Sequence, residues 1–299
     1  MAVIEVEGLR RSYGNVAAVR DVSFEVEAGE VVAVLGPNGA GKTTTVEILE
    51  GFRTRDAGRV SVLGTDPATG GRDLRLRVGV VLQECAIEPY LSVAEVLKKQ
   101  SQYYPSPLPV ADVLGLVGLE EKASARVKTL SGGQQRRLDV ALGLIGNPEL
   151  LFLDEPTTGF DPGARRQAWD VVKNLRTLGK TVLLTTHYMD EAQALADRVI
   201  VVVAGRVVAS GTPESIGGRA TAEAEIRFVL PNGLEAVELP LKAQTEADGS
   251  VLISSAKLTA DLATLTNWAL ERGHELEGLT VTRPSLEDIY LSLTSTEVA

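Results

Sequence analysis

The chain has 299 residues, of which 44% are hydrophobic and 23% charged, enough apolar material for one large domain with an appendage or for two domains. No apolar stretch approaches the roughly 18–20 residues of a membrane-spanning helix, and the N-terminal residues lack the basic start and apolar core of a signal peptide. Cys85 is the single cysteine, so an internal disulfide is excluded and we expect a cytosolic protein.

The charge is unevenly distributed along the chain. The formal net charge is −10, and residues 221–299 carry 13 acidic and 5 basic side chains, a net −8, which leaves −2 for residues 1–220. A surface that binds nucleic acid needs a basic patch, so this distribution argues against a nucleic-acid partner. The composition changes near residue 218. We therefore predict a larger domain over 1–218 and a C-terminal accessory domain over 219–299, with a regulatory or dimer-stabilising role.

The hydrophobic pattern of the first 218 residues predicts an α/β core. Strands are predicted over 3–9, 21–26, 30–35, 150–153 and 181–186, with a hairpin over 199–208. Helices are predicted over 43–50, within 92–128 on either side of a proline-rich loop at 105–109, around 138–145 and after Pro162. Strands that alternate with helices indicate a parallel sheet, and the first strands indicate an antiparallel portion beside it.

The pattern after residue 218 is weaker and predicts a small α+β domain. Segments 222–230 and 234–239 flank Pro-Asn-Gly at 231–233, which is typical of a β-hairpin. Further elements are predicted as strands over 251–254 and 279–282, a helix around 262–269, and a last helix that a capping box opens at Ser285.

A glycine-rich loop follows the strand 30–35 and matches G-x-x-x-x-G-K-[ST] without a mismatch. Glycines let backbone N–H groups turn toward phosphate oxygens, and the next helix presents its positive end to the same anion. Lys42 supplies a cation, and the Thr43 hydroxyl can bind Mg²⁺. The sequence therefore predicts a nucleoside triphosphate site made by Gly36, Pro37, Asn38, Gly39, Ala40, Gly41, Lys42, Thr43 and Thr44.

Two carboxylates end the apolar run Leu150–Leu153. Open α/β sheets bind their ligands at the carboxyl ends of strands, so Asp154 and Glu155 can both face the nucleotide. Asp154 suits the Mg²⁺ shell, and Glu155 can polarise an attacking water. The alternative is a pair of acidic residues that only terminates a strand.

The segment Leu130–Gln134 opens a helix in an unusual way. Ser131 and Gln134 have the spacing of a capping box, which is the purely structural interpretation. Gly132 and Gly133 occupy the first turn, however, where each costs up to about 1 kcal/mol relative to alanine. Two glycines at a helix start favour close approach of the backbone to an anion.

Together these motifs resemble the ATP-binding cassette (ABC) family, whose signature is LSGGQ. The motifs occur in the family's order as the phosphate loop at 36–43, the Q-loop glutamine Gln83, the signature at 130–134, the strand and carboxylates at 150–155, the D-loop aspartate Asp161 and the switch histidine His187. The resemblance covers about residues 3–210. It implies a P-loop NTPase fold, with a RecA-like core, an antiparallel β subdomain and a helical subdomain.

The resemblance implies that ATP and Mg²⁺ bind between two cassettes arranged head to tail. One cassette contributes the phosphate loop, and the other contributes the signature, with Ser131 and Gly133 at the γ-phosphate and Gly132 and Gln134 beside them. The remaining implied roles are the catalytic base for Glu155, a γ-phosphate contact for His187, a Mg²⁺ and water contact for Gln83, adenine stacking for Tyr13, and a nucleotide-site role for Asp161. Asp161 followed by proline is also typical of a helix N-cap. The preceding residues, Thr158-Gly-Phe160, depart from the family's commoner D-loop sequence.

Two classes of function remain open within the family. One is the energy-coupling subunit of a transporter, and the other is a soluble mechanical ATPase of DNA repair or translation. The single cassette, the ordinary length of 44–130 and the acidic C-terminal part favour the transporter.

The segments 136–148 and 284–294 resemble bacterial drug-resistance and sodium-efflux ATPases, including daunorubicin exporters, which implies export; an importer ATPase is the alternative. The implied partners are a membrane-spanning permease on a separate chain and a second cassette, expected to be another copy of this chain, at the cytoplasmic face of the membrane.

Overall fold

The computed structural model describes residues 2–82, 87–230, 234, 236–246 and 249–296. The chain divides into two compact units, which are Met1–Pro213 with Thr294–Ala299, and Glu214–Leu293. The boundary predicted from composition, between residues 218 and 219, lies a few residues inside the second unit. Within the described ranges, no helix is both long enough and apolar enough to cross a bilayer.

The first unit is built on one mixed sheet. Its strands are β1 (Ala2–Tyr13), β2 (Val16–Glu27), β3 (Val31–Leu35), β4 (Ala57–Val62), β5 (Val78–Val81), β6 (Leu150–Asp154), β7 (Thr181–Thr186), β8 (Arg198–Val203) and β9 (Arg206–Gly211). Their spatial order is β4-β1-β2-β9-β8-β3-β7-β6-β5. Strands β8, β3, β7, β6 and β5 are parallel neighbours, whereas β1 pairs antiparallel with both β2 and β4. The predicted α/β core with an antiparallel portion is therefore confirmed.

The sequence explains why the middle of this sheet is parallel. Every residue of β3 and β7 is buried, as is every residue of β6 except Asp154. Strands that are covered on both faces need continuous apolar runs, and the crossovers between them supply the covering helices. The apolar runs therefore place the carboxyl ends of β3, β6 and β7 at one edge, where the polar motifs follow.

Helices cover the sheet and connect its strands. They are α1 (Lys42–Leu49), α2 (Gly71–Arg77), α3 (Val93–Ser101), α4 (Val110–Val117), α5 (Gly132–Leu144), α6 (Pro162–Thr177) and α7 (Met189–Leu195). The predicted proline-rich loop separates α3 from α4. Helix α3 begins at a formed capping box, in which Ser92 and Glu95 bond each other's backbone N–H groups.

The second unit is a small antiparallel sheet with helices. Its elements are β10 (Ala224–Val229), β11 (Gln244–Thr245), β12 (Ser250–Ser255), α8 (Leu258–Glu271), β13 (Thr280–Thr282) and, as far as Leu293, α9 (Leu286–Thr296). The strands lie in the order β11-β12-β10-β13. Phe228, Val251 and Trp268 belong to its apolar core. At the start of α9, Ser285 and Asp288 form the predicted capping box, with N–H to side-chain distances of 2.7 and 3.1 Å.

The predicted hairpin of this unit is wrong. Ala236–Glu238 form a 3₁₀ helix, and β10 pairs with β12 and β13 instead. Leu234 and Leu239 pack on the same core, but their odd separation of five residues would put them on opposite faces of a strand. The 3₁₀ turn at Ala236–Glu238 interrupts the alternation of a strand, and both side chains pack on that core. The Pro-Asn-Gly segment at 231–233 lies outside the described residues.

Glu50, directly after α1, gives the fold a pH-dependent stability. Burial, together with the charges of Asp154 and Glu47, raises the pKa of its carboxyl from 4.5 to about 8. Between these values the unfolded chain loses the proton while the folded chain keeps it, so stability falls as pH rises, by at most about 1.4 kcal/mol per pH unit. Below pH 4.5 both states are protonated and the effect is absent.

We expect the free energy of unfolding of Glu50→Gln to depend less on pH than that of the wild type. Its advantage over the wild type in the free energy of unfolding should grow between pH 5.5 and 8.5 to about 2 kcal/mol or more, measured by urea unfolding. The exposed Glu121→Gln is the control and should follow the wild type. Parallel pH curves for the wild type and Glu50→Gln would contradict the raised pKa.

Candidate functional site

The phosphate-loop motif forms the connection between β3 and α1. Gly39 and Gly41 have left-handed backbones, with φ of 81° and 95°. A Cβ at Gly36 would lie 2.3 Å from the carbonyl oxygen of Val202, and one at Gly41 would lie 2.3 Å from that of Ala18. The loop is thus pressed against neighbouring backbone on one side, and only glycine fits at these two positions.

Lys42 lies at the start of α1, and its side chain turns back over the loop. Its Nζ donates to the carbonyl oxygens of Gly36 at 2.7 Å and Pro37 at 3.1 Å, and the residue is 6% exposed. Burial lowers the pKa of Lys42, and the charges of Glu155 and Asp154 oppose that effect. The ammonium group is thus held by two carbonyl oxygens and attracted by two nearby carboxylates. A cation fixed in this way can bind a polyanionic ligand.

Of the remaining loop residues, Pro37, Asn38, Gly39 and Thr43 are exposed, Thr44 is half-buried and Ala40 is buried. Thr43 is therefore accessible in the first turn of α1.

Asp154 ends β6 and is fixed by the neighbouring strand. Its Oδ1 accepts a hydrogen bond from the hydroxyl of Thr185, on β7, at 2.5 Å. Its other oxygen, Oδ2, has no hydrogen bond to any residue that the structure describes. One oxygen positions the carboxylate, and the other is available to a ligand.

Glu155 adopts a backbone conformation that is rare for a residue with a side chain. Its φ is 44°, and its N–H donates to both the carbonyl and the hydroxyl oxygen of Thr185, at 3.1 Å each. Its Oε2 accepts from the hydroxyl of Thr158 at 2.9 Å, and its Oε1 lies 3.3 Å from Nδ1 of His187. The carboxylate is only 17% exposed, whereas the imidazole is 39% exposed. The structure therefore brings Glu155 and His187 into direct contact.

The signature segment begins α5 with a complete capping box. The backbone N–H of Gln134 donates to Ser131 Oγ at 3.3 Å, and that of Ser131 donates to Gln134 Oε1 at 3.0 Å. A Cβ at Gly132 would meet nothing within 4 Å, and one at Gly133 would lie 3.3 Å from the Cβ of Ala164. The structural interpretation of Ser131 and Gln134 is confirmed, but packing within the chain does not require a glycine at 132.

Asp161 acts as the N-cap of α6. Its Oδ1 accepts from the backbone N–H groups of Gly163 at 2.8 Å and Ala164 at 3.0 Å, and these bonds lower the pKa of its carboxyl. Together with the start of α5, this turn lines an open groove of about 750 Å³. Within the described part of the chain, no residue of 36–44 lines this groove. The signature and the phosphate loop are thus separate surfaces of one chain.

Tyr13 ends β1 and is 38% exposed. The guanidinium carbons of Arg11 and Arg53 lie 5.0 and 5.6 Å from its ring centroid, and these two arginines pair with Asp56 and Glu47. The two arginines were not foreseen, because they come from different segments of the sequence. Gln83 lies outside the described residues.

Sequence reasoning also missed Arg136, which is buried on α5. Its guanidinium donates to the backbone carbonyl oxygens of Asp154 at 2.7 Å and Pro156 at 3.2 Å, and to that of Leu82. Arg136 therefore fixes the turn that carries both carboxylates. The available signal was an arginine directly behind the signature, three residues before Asp139, with which it pairs at 3.7 Å on the same buried helix face.

Comparison with known proteins agrees with this geometry. A family model described as "ABC transporter" matches residues 19–158, and one described as "ABC transporter domain-containing protein-like, C-terminal domain" matches 224–285. Nod factor export ATP-binding protein I of Ralstonia nicotianae is 39% identical over 308 residues, covering 99% of this chain and 95% of the relative. That of Rhizobium etli is 37% identical and covers 100% and 95%.

Solved structures share the fold of the first unit. An ATP-binding subunit of an ABC transporter matches with a TM-score of 0.63 and 28% identity, covering 71% of this chain and 91% of the other. A dimeric ATP-binding cassette in a post-hydrolysis state, bound to ADP and Pi, matches in fold with a TM-score of 0.61 and 24% identity, covering 70% and 98%. The chain belongs to the ABC transporter family, as an ATP-binding subunit whose ATP hydrolysis drives transport.

Proposed function

We propose that this chain energises export through a separate membrane-spanning subunit by hydrolysing ATP between two cassettes. The observation that carries the proposal is the contact of Glu155 with His187 at the carboxyl edge of the sheet that also carries Lys42. A carboxylate beside an imidazole, near a buried lysine of a phosphate loop, is a constellation suited to water attack on a phosphoryl group.

The phosphate loop would bind the substrate ATP. The backbone N–H groups of residues 36–44, apart from Pro37, which has none, would surround the phosphates, and Lys42 would exchange its two carbonyl contacts for phosphate oxygens. Mg²⁺, when bound, would neutralise charge that develops on the phosphates, held by the Thr43 hydroxyl, the carboxylate of Asp154 and Gln83. The exposed Thr43 fits that role, as does Oδ2 of Asp154, which makes no hydrogen bond within the described residues.

Glu155 would take a proton from the attacking water. Its hydrogen bond from Thr158 and its backbone bonds to Thr185 hold the carboxylate in place, while Gln83 would help to position the water. His187 would donate to the γ-phosphate, and its contact with Glu155 keeps the two groups within reach of the same phosphoryl centre. Tyr13 would stack on adenine, leaving Arg11 and Arg53 at the edge of that site.

The second cassette would supply the missing half of the site. The capping box engages the backbone N–H groups of Ser131 and Gln134. Within the described residues, those of Gly132 and Gly133 make no hydrogen bond, so they can donate to an anion from outside the chain. We propose that a second copy brings its ATP into the groove lined by Ser131, Gly133 and Asp161. The dimeric form of the solved cassette supports this arrangement.

Export is proposed because the relatives reported above are named as export proteins and match both units of this chain. The nucleotide site does not determine which compound is transported, because that compound would bind to the membrane subunit. This chain would work at the cytoplasmic face of that subunit. The second unit is proposed to regulate the cassettes or to stabilise their dimer.

A substitution in the signature tests the proposal. Gly133→Asp puts a carboxylate where the partner's γ-phosphate is expected, so ATP hydrolysis should fall by at least about 10²-fold while ATP binding to each chain stays within threefold. Phosphate release and nucleotide titration measure the two effects.

Gln102→Glu is the matched control, because Gln102 is an exposed residue directly after α3, does not line the groove, and gains the same charge. It should hydrolyse ATP within about threefold of the wild type. If Gly133→Asp keeps wild-type hydrolysis, the signature does not complete the site.

A further inference from the structure

Glu191 is a buried carboxylate to which the mechanism above gives no task. It lies in the first turn of α7 and is 0% exposed. Its Oε1 accepts hydrogen bonds from the hydroxyl of Thr157 at 2.8 Å and from the indole Nε1 of Trp169 at 3.3 Å. Its Oε2 is buried and has no well-formed hydrogen bond among the residues that the structure describes, although the nearby side chain of Thr186 opposes the effect of burial on the pKa of this carboxyl. A core that served stability alone would seldom contain such a group.

The partners of Glu191 connect it to both proposed catalytic side chains. Thr157 is buried in the turn that begins with Glu155, and it lies next to Thr158, whose hydroxyl donates to Glu155. On the other side, Glu191 is four residues from His187, at the start of the helix that follows it. One carboxylate oxygen therefore joins the segment that holds the base to the segment that holds the histidine.

Trp169 adds a third element to this junction. It lies on α6, which begins at the N-cap Asp161 in the signature groove. The indole of Trp169 and the hydroxyl of Thr157 donate to the same oxygen, Oε1 of Glu191. A shift of α6 would therefore change the hydrogen bonds at this oxygen.

We propose that Glu191 is a positioning residue for ATP hydrolysis. Its buried carboxyl links the turn after β6 to the segment that runs from His187 into α7, and so maintains the contact between Glu155 and His187. The inference rests on the proposed function, since it assigns Glu191 to the same hydrolytic site. Glu191 touches neither substrate nor water in this role; it acts through Thr157 and through α7.

The chemistry of the junction predicts which substitutions it tolerates. Oε1 acts only as an acceptor, and burial raises the pKa of Glu191, so the role does not demand a charge. Glutamine keeps an acceptor oxygen at the same place, whereas alanine removes it and leaves the buried hydroxyl of Thr157 and the half-buried indole N–H of Trp169 without their acceptor. Thr157→Val removes only one donor and keeps the shape of the side chain.

The test compares variants of the purified full-length chain in one ATPase assay. Glu191→Ala should lower kcat by about 10²-fold with the nucleotide Kd within threefold, and Glu191→Gln should restore kcat to within about threefold of the wild type. Thr157→Val should lower kcat by about tenfold, and the double variant with Glu191→Ala should be no slower than Glu191→Ala alone, because both act through one bond.

Leu195→Ala is the matched control, since Leu195 is buried in the same helix and its apolar side chain can make no hydrogen bond to the turn. It should lower the melting temperature about as much as Glu191→Ala does but keep kcat within threefold. The inference is overturned if Glu191→Ala is no slower than Leu195→Ala, if its Kd rises as much as its kcat falls, or if glutamine fails to rescue.

Including Glu155→Gln separates this inference from the proposed function. If Glu155→Gln hydrolyses ATP at the wild-type rate, the hydrolytic site itself is wrongly assigned. If Glu155→Gln is inactive while Glu191→Ala behaves like its control, only the role of Glu191 fails.

Discussion

Replacing Glu155 by glutamine should reduce ATP turnover by about 10³-fold while ATP still binds. The amide fills the same space and can accept the hydrogen bond of Thr158, but it cannot take a proton from water. Because the phosphate loop and Lys42 are untouched, the nucleotide Kd should stay within about threefold. Single-turnover hydrolysis and nucleotide titration measure the two quantities separately.

The control for this variant is Glu149→Gln, which changes an exposed glutamate just before β6 that pairs with Arg77. It should hydrolyse ATP like the wild type. Wild-type turnover in Glu155→Gln would show that another group is the base.

Replacing Lys42 by alanine should lower kcat/KM by at least about 10²-fold. The ammonium group is positioned by Gly36 and Pro37 and would form charge-assisted hydrogen bonds to the phosphates, each worth about 1.5–3 kcal/mol. Unlike Glu155→Gln, this variant should also bind ATP more weakly, since Lys42 contacts the ground state as well as the transition state.

Lys180→Ala serves as the comparison for Lys42→Ala. Lys180 is also partly buried and donates to the side chain of Asn147, away from the phosphate loop. Its ATP affinity and turnover should match the wild type. An unchanged ATP Kd and kcat in Lys42→Ala would contradict the assignment of the loop as the phosphate site.

The parts of the site that the sequence predicts well are those made by contiguous residues. The loop from Gly36 to Thr44 lies between a strand and a helix in the structure, and the carboxylates at 154 and 155 end a buried strand. In both cases the chemistry and the local backbone come from the same short motif.

Contacts between distant segments were not predictable in the same way. Arg136 bonds the turn after β6 across about twenty residues, and Arg11 on β1 meets Arg53, which follows α1, at the ring of Tyr13. Thr185 fixes Asp154 because β7 happens to be its neighbour in the sheet. Pattern reasoning assigns a residue to a face, but the pairing of strands decides which polar groups meet.

The second unit shows the same limit for the fold. Its short strands were predicted at 251–254 and 279–282 with small errors at the ends, since alternating apolar residues define a face. The strand over 234–239 was wrong because apolar content was weighed without the spacing of Leu234 and Leu239. A turn with Pro-Asn-Gly favours a hairpin locally, but here β12 is the partner that buries Ile226 and Phe228.

The central claim is that the groove at the start of α5 completes the nucleotide site of a second copy. The most direct measurement is the molar mass of Glu155→Gln in solution, by light scattering, with and without Mg²⁺ and ATP. We expect the 31.8 kDa chain to double its mass when ATP is added. Gly133→Asp in the same background should abolish that doubling. A mass that remains that of a single chain at saturating ATP would contradict the two-cassette site.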